Sequence, residues 1–432
     1  MNKNKINWVA VLTMMFLFGM ISFVTNLAAP IGVIWKQAPG IDGSNFWGMM
    51  GNMMNFLAYL LMGIPAGKLI TNLGYKKTTL IGVVVGLCGV FVQFLSGKVG
   101  VGATLANLPA NFFVYLLGAF ICGFSVCILN TVVNPMLNLL GGGGNKGNQL
   151  VQIGGTFNSL TGTLTPMLIG ALIGTVTKDT QIADVNTVLY IAMAVFAATF
   201  AILIFVPFVE PEQDKTNTSV KAVLKYKHLV FGVIAIFLYV GVEIGIPGTL
   251  NFFLADSVNG AGLDPKVAAS IAGSVAAMYW LLMLCGRFTS SLISGKVSSR
   301  AQLTVTSAVA IVLVICAMYT SDVKVNMPVL KGLTEGFAMM SLPLSALLLV
   351  LCGLCTSVMW GTIFNLSVEG LGKYTALASG LFMAMVVGGG VLPLIQGAVA
   401  DAVSYMSSYW VIVAALAFIL WFAVLGSKVK KA

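Results

Sequence analysis

Long apolar runs separated by short polar loops repeat along the whole chain. Most runs are about 20 residues or longer, which lets a helix cross a hydrocarbon core roughly 30 Å thick. A membrane β-barrel would instead show segments of about 10 residues with alternating polarity. The pattern therefore predicts membrane-spanning helices at about residues 7–35, 44–70, 78–96, 111–139, 149–174, 187–208, 229–254, 266–294, 301–320, 342–368, 375–400 and 405–427.

The composition agrees with an integral membrane protein. Hydrophobic residues make up 58% of the 432 residues and charged residues only 8%, a balance that the surface of a soluble protein cannot accommodate. The first apolar run is longer than the roughly 7 to 15 residues of a signal-peptide core, so we expect a retained span.

The basic residues indicate which helix ends face the cytoplasm. The formal net charge is +10. Placing both termini inside puts most lysines and arginines, including Lys76, Lys77 and Arg287, on or near one face, whereas Lys36 and most acids fall outside. We therefore predict a multi-pass protein of the cell inner membrane with both termini cytoplasmic. The positive charge is then a topology signal rather than a nucleic-acid footprint.

A polar segment in mid-chain divides the twelve spans into six and six. Weak internal similarity pairs span 2 with span 8 and span 5 with span 11. We expect an N-terminal six-helix half at residues 1–210, a cytoplasmic linker at 211–228 and a C-terminal six-helix half at 229–432. Such duplicated halves are typical of transporters that expose a central site alternately to each side. The predicted fold class is all-α, with twelve transmembrane helices in two pseudo-symmetric six-helix halves.

A polar, glycine-rich hairpin interrupts the apolar sequence at residues 131–162. Asn130, Asn134 and Asn138 recur every four residues, so on a helix they form one amide stripe, which must face protein or water. Amides both donate and accept hydrogen bonds, which suits a hydroxyl-rich ligand. The alternative is that these amides only join neighbouring spans. The candidates for sugar contact here are Asn130, Asn134, Gln152 and Asn158.

One carboxylate lies in the middle of a predicted span. Glu243 is in span 7, and no residue within a turn of it on its own helix is basic. An acid at this depth costs several kcal/mol as an ion, so it should be protonated, partnered across the cavity or exposed to water. Two interpretations are open: a role in substrate binding or proton coupling, and a neutral acid that fixes helix packing.

Five patches of sequence, in order along the chain, carry a family resemblance. They are GKLITNLGYKKTTLIG, LNTVVNPMLNLLG with TFNSLTG, YVGVEIGI, GRFTSSLI, and GTIFNLSVEGLG followed by VVGGGVLPLIQGAVAD. Together they resemble the major facilitator superfamily, and within it the fucose, glucose and galactose permeases. The resemblance implies a secondary transporter for a neutral monosaccharide and supports a functional Glu243, since relatives of the glucose and galactose branch often carry glutamate here.

The departures from this family concern groups that carry protons or contact sugar. After the pair Asn26 and Leu27, where the fucose branch soon has an aspartate, this chain has Ala29. Asn130 stands where that branch has a glutamate, and Gly155 stands where the family has a glutamine. The substrate contacts, the coupling chemistry, or both must therefore differ.

The resemblance also draws attention to Trp360, which stands where the fucose branch has tyrosine. Its ring could stack on the apolar face of a pyranose or could simply pack. The remaining candidates for the cavity are Asn26, Asn251 and Asn365.

The sequence thus predicts a secondary active transporter that imports a neutral monosaccharide, with proton coupling through Glu243 or as an uncoupled facilitator. An exporter of amphipathic small molecules with the same fold is the alternative, although its cavity should be more apolar. Short loops and a single histidine, His228, argue against an enzyme, a metal site or a cofactor. The expected partners are a sugar, with or without a proton as co-substrate, and the lipid bilayer. We expect a monomer that binds no nucleic acid.

Overall fold

A computed structural model describes residues 8–140, 144–173, 176, 180–206, 224–293, 297–332, 336–371 and 375–428. Most of the predicted linker, residues 211–223, lies outside the described part. We refer to residues 8–206 as the first half and to residues 224–428 as the second half. The predicted outer end is the end of the helices that the basic residues assign to the outside.

The first half consists of long helices joined by short connections. Its helices are α1 (Trp8–Gln37), α2 (Asn45–Gly48), α3 (Met50–Leu95), α4 (Ala110–Leu140), α5 (Gly144–Ile173) and α6 (Asn186–Phe205). A two-residue hairpin, β1 (Thr104–Leu105) and β2 (Leu108–Pro109), precedes α4, and a 3₁₀ turn (Ile182–Val185) precedes α6.

The second half repeats this plan, with a local distortion in two of its spans. Its helices are α7 (Lys227–Ala255), α8 (Pro265–Ile293), α9 (Ser299–Met318), α10 (Leu344–Thr356), α11 (Met359–Val368), α12 (Thr375–Met385), α13 (Gly388–Ala402) and α14 (Tyr405–Trp421). The strands β3 (Lys324–Gly332) and β4 (Gly336–Pro343) form an antiparallel hairpin between α9 and α10.

The helices confirm the predicted all-α fold class. Within the described residues, 11 segments are long and apolar enough to cross a membrane. Helix α5 is 30 residues long but too polar to count among them, because it carries the predicted polar wall. With α5 included, each of the twelve predicted spans lies on helix.

Helix α3 contains two successive spans separated by a tight reversal at Gly74. This residue has φ 81° and ψ 172°, a conformation that glycine adopts without the steric cost of a Cβ atom. Span 10 is locally distorted at Ser357 and Val358, between α10 and α11, and span 11 at Val387, between α12 and α13. These three residues keep right-handed helical φ and ψ, so each span continues through its distortion.

The β3–β4 hairpin is a feature that the apolar pattern does not predict. It packs on α8, where the Ser270 hydroxyl donates to the Leu330 carbonyl at 2.7 Å and the Leu330 N–H donates to Ser274 Oγ at 2.9 Å. The hairpin therefore covers the predicted outer part of α8.

The two halves approach closely where α5 crosses α8. A Cβ atom at Gly273 of α8 would lie 2.1 Å from the Pro166 carbonyl oxygen of α5. A Cβ atom at Gly170 of α5 would lie 2.5 Å from the Ala269 carbonyl oxygen of α8. Both glycines therefore allow backbone-to-backbone packing between the halves, as small residues do at membrane helix interfaces.

Candidate functional site

A small cavity with a mainly apolar lining lies between the two halves. Its volume is about 30 Å³, enough for one or two water molecules but far below the roughly 300 Å³ or more of small-molecule pockets. The polar or aromatic side chains that line it are Thr25 and Asn26 of α1, Asn52 of α3, Asn251 of α7 and Trp280 of α8. The conformation described is therefore closed around the cavity.

Two predicted candidates, Asn26 and Asn251, meet at this cavity from opposite halves. Asn26 donates from Nδ2 to the Ser22 carbonyl at 2.9 Å, within its own helix. Asn251 is only 3% exposed, and within the described residues its amide has no hydrogen-bond partner although it lines the cavity. Its donors and its acceptor are thus available to a ligand or to water.

The predicted amide stripe binds back to its own half. Asn130 donates from Nδ2 to the Tyr59 hydroxyl at 2.7 Å, and Asn134 donates to the Asn130 carbonyl at 3.2 Å. Asn158 donates to the Phe18 carbonyl at 3.1 Å. Each amide still keeps its carbonyl oxygen and one N–H for a ligand, so a packing role and sugar contact are compatible. Gln152 lies on α5, but its side chain falls outside the described part of the structure.

The remaining two candidates lie on α11, away from the small cavity. Trp360 is half-buried and packs edge-on against Tyr239, with ring centroids 6.2 Å apart. Asn365 is exposed. Neither side chain lines the cavity between the halves.

Glu243 is partnered by an arginine from the neighbouring helix. Its Oε1 accepts from Nη2 of Arg287 at 3.4 Å, and the two side chains are 13% and 18% exposed respectively. The same guanidinium donates from Nη1 to the Gly155 carbonyl and to Ser159 Oγ of α5, both at 3.1 Å. The acid is therefore partnered, but by a residue of its own half and not across the cavity.

Arg287 is a functional candidate that the sequence pattern misplaces. The distribution of basic residues assigns it to or near the cytoplasmic face, because it lies six residues before the end of α8. Its guanidinium instead points to Glu243 at membrane depth. A long arginine side chain can place its charge well away from its Cα atom.

Trp280 is a second residue that the sequence pattern does not single out. It is 5% exposed, lines the cavity and lies beside Gly162, where a Cβ atom would be 3.2 Å from the indole. An aromatic side chain in a span is more often a packing residue than a ligand contact, and only its position beside Asn26 and Asn251 marks it.

Above the cavity, a buried ion pair closes the predicted outer end. Lys36 of α1 donates to Asp256 Oδ2 at 2.6 Å, and the side chains are 4% and 8% exposed. The Tyr405 hydroxyl contacts Lys36 and lies 2.9 Å from Asp256 Oδ2 and 2.8 Å from Asn45 Oδ1, two acceptors that share its single proton. Lys36 and Asn45 belong to the first half, and Asp256 and Tyr405 to the second.

A second polar contact beside it joins the same two halves. The Asp401 carboxylate accepts from Ser44 Oγ at 2.7 Å, from the Asn45 amide at 2.8 Å and from the backbone N–H groups of Asn45 at 2.6 Å and Phe46 at 3.0 Å. We call the side chains of Lys36, Asn45, Asp256, Asp401 and Tyr405 the outer network. It holds the two halves together on the predicted outer side.

Comparisons with known proteins agree with this architecture. The family model for the Major Facilitator Superfamily matches residues 10–386. The chain is 30% identical over 383 residues to a glucose/galactose transporter of Brucella abortus biovar 1 (strain 9-941), covering 86% of this chain and 84% of that protein. It is 29% identical over 431 residues to a putative glucose/galactose transporter of Helicobacter pylori (strain ATCC 700392 / 26695), covering 96% and 95%.

More distant similarities extend to a symporter and to a solved fold. The chain is 22% identical over 378 residues to the L-fucose-proton symporter of Escherichia coli (strain K12), covering 80% of this chain and 77% of that protein. The crystal structure of FucP in the outward conformation matches with a TM-score of 0.65 at 19% identity, covering 97% of this chain and 98% of that one. The chain therefore belongs to the Major Facilitator Superfamily and is a multi-pass membrane transporter rather than an enzyme.

Proposed function

We propose that this protein imports a neutral monosaccharide by alternating access and that Glu243 couples the import to protons. The observation that carries the proposal is the convergence of asparagine side chains from both halves on a cavity between them, with Asn251 about two helix turns along α7 from the partnered Glu243. Amides bind sugar hydroxyls without adding charge, which suits an uncharged ligand. The relatives named as glucose/galactose transporters and as an L-fucose-proton symporter support the same substrate class.

An exporter of amphipathic compounds is the alternative. The cavity lining is mainly apolar, as such an exporter requires, but its three amide side chains, Asn26, Asn52 and Asn251, favour a hydroxyl-rich ligand. The uncoupled facilitator is a closer competitor, because Ala29 and Asn130 stand at carboxylate positions of the fucose branch. In the proposed coupled mechanism, Glu243 must carry the proton without those two acids. The distribution of basic residues supports an inner-membrane protein with both termini in the cytoplasm.

Proton coupling is tested by replacing Glu243 with glutamine. In proteoliposomes with a pH gradient, wild type should accumulate sugar and acidify the lumen, because each sugar enters with a proton. Glu243→Gln should abolish accumulation but keep sugar exchange, since glutamine can still accept the hydrogen bond from Arg287. Accumulation and counterflow of labelled sugar are the measurements.

A matched control for this test is Glu369→Gln, because Glu369 is an exposed acid of the same half. It should accumulate sugar as wild type does. Uptake could instead proceed equally well with and without the gradient, in wild type and in Glu243→Gln. That result would contradict proton coupling and indicate an uncoupled facilitator.

A further inference from the structure

The Arg287 guanidinium lies where groups from both halves converge. In the second half it contacts Glu243 at 3.4 Å, and in the first half it donates to the Gly155 carbonyl and to Ser159 Oγ at 3.1 Å each. Ser159 is fully buried. One cation therefore shares its donors between an acid of its own half and two neutral oxygens of the other half.

Gly155 provides the room for this arrangement. A Cβ atom there would lie 3.5 Å from Nη1 of Arg287, so a larger side chain would occupy the place of the guanidinium. The family resemblance puts a glutamine at this position, and the present chain has instead a glycine whose half-buried carbonyl accepts from the arginine. The arginine takes the space that a polar side chain of α5 would fill.

Glu243 is the member of this cluster whose charge can change. The titratable groups that face it are Arg287 and Tyr279 of α8 and Tyr239 of its own helix. In ordinary surroundings phenols and guanidinium groups titrate well above the range where a carboxylate gains a proton, so both keep their charge state there. Arg287 is thus the one charged side chain facing Glu243 in the described part of the chain.

We propose that Arg287 is a positioning residue that controls protonation of Glu243 and transmits the change of charge to the contact between the halves at α5. This deepens the proposed proton coupling and rests on it. While Glu243 is ionised, attraction between opposite charges holds the guanidinium toward α7. A proton taken up from water on one side neutralises Glu243, removes that attraction and leaves the cation with the α5 oxygens alone. Release of the same proton on the other side restores the pair.

The first test follows the protonated carboxyl of Glu243 by infrared difference spectroscopy between pH 5 and 9, on protein in lipid vesicles. The band is assigned by its absence in Glu243→Gln. Without the arginine charge an ionised Glu243 is less favourable, so Arg287→Gln should raise the titration midpoint by at least one pH unit, a tenfold gain in proton affinity. Lys266→Gln removes an exposed charge from the same helix and should leave the midpoint unchanged. An unchanged midpoint in Arg287→Gln would overturn the proposal.

A second test uses folded wild type, in case Arg287→Gln does not fold. Spin labels on Leu160→Cys of α5 and Leu281→Cys of α8, both exposed, report the separation of the two helices after the native cysteines are replaced by serine. The distance distribution should change between pH 8 and pH 5 and should not change in Glu243→Gln. A distribution independent of pH in the wild-type background also rejects the proposal.

Neither test requires a sugar, which separates this inference from the proposed function. A shifted titration in a protein that transports no monosaccharide would reject the proposed substrate and keep the role of Arg287. Sugar accumulation together with an unshifted titration would reject the role of Arg287 and keep the proposed substrate.

Discussion

Replacing Asp256 with alanine is expected to open the predicted outer end of the protein. The substitution leaves the Lys36 ammonium, with a side chain only 4% exposed, without its counter-ion. Breaking a buried ion pair from one side typically costs about 3–5 kcal/mol. Opening the outer network lets water reach Lys36 and relieves that cost. Since about 1.4 kcal/mol is a factor of ten, the ratio of closed to open protein should fall by roughly a hundredfold or more.

The opening can be measured by labelling the cavity from outside. A cysteine at Thr25, which lines the cavity and whose hydroxyl bonds only within α1, should react at least ten times faster with a membrane-impermeant thiol reagent in the Asp256→Ala background. Asp264→Ala removes an exposed acid from the same loop and should not change the rate. The pair Lys36→Met with Asp256→Leu should restore slow labelling, because apolar residues can replace a buried ion pair. Equal rates in Asp256→Ala and wild type would mean that the outer network does not hold the halves closed.

The Lys36–Asp256 ion pair limits which groups can make the closed state depend on pH. Burial raises the pKa of Asp256, but the hydrogen bond and charge of Lys36, with bonds from the Asn259 backbone and Tyr405, outweigh burial and lower that pKa overall. Because the pKa of Asp256 is lowered in the closed state, ionised Asp256 stabilises that state fully above the ordinary carboxyl range. This stabilisation is lost as the pH falls through the lowered pKa. Asp256 should therefore contribute no pH dependence between pH 5 and 8. A dependence in that range would have to come from a group such as Glu243.

Adding one methyl group at Gly273 should separate the halves where α5 crosses α8. The new Cβ atom would lie 2.1 Å from the Pro166 carbonyl oxygen. Because the obstacle is backbone rather than the end of a flexible side chain, the helices must move apart. Overpacking of this kind typically costs about 1–3 kcal/mol. Gly273→Ala should accordingly lower the thermal stability and the transport rate.

Gly380→Ala is the matched control, because a Cβ atom there would have no neighbour within 4 Å. Thermal unfolding in detergent and counterflow in proteoliposomes compare the two variants. Gly380→Ala should behave as wild type in both. If Gly273→Ala also has wild-type stability and transport, the close crossing of α5 and α8 is not important for either.

The sequence is enough to predict the helices, since the length and composition of apolar runs alone decide what can span a bilayer. The same pattern cannot show the local distortions in spans 10 and 11, because both spans are as apolar as an undistorted helix would be. It also cannot show β3 and β4, whose apolar residues fit a loop as well as a hairpin. Gly74, by contrast, could be expected at a reversal, because its positive φ suits glycine.

The candidate site could be predicted only in part, because pairing depends on contacts distant in sequence. Glu243 is recognisable as an acid in an apolar span, but its partner Arg287 is 44 residues away on another helix. Lys36 and Asp256 are 220 residues apart, and each alone resembles a charge at a helix end. Packing of tilted helices, which composition does not encode, brings these charges together.

The proposed function is tested most directly by thermal unfolding of the purified protein with a panel of hexoses, pentoses, amino sugars and sialic acid. A ligand at about a hundred times its Kd stabilises the folded protein by about 2.7 kcal/mol, so a bound sugar should raise the unfolding temperature clearly. We predict that at least one neutral monosaccharide protects wild type and that Asn130→Ala and Asn158→Ala reduce the sugar-induced shift. Protection by amphipathic compounds and by no sugar would contradict sugar import and indicate an exporter.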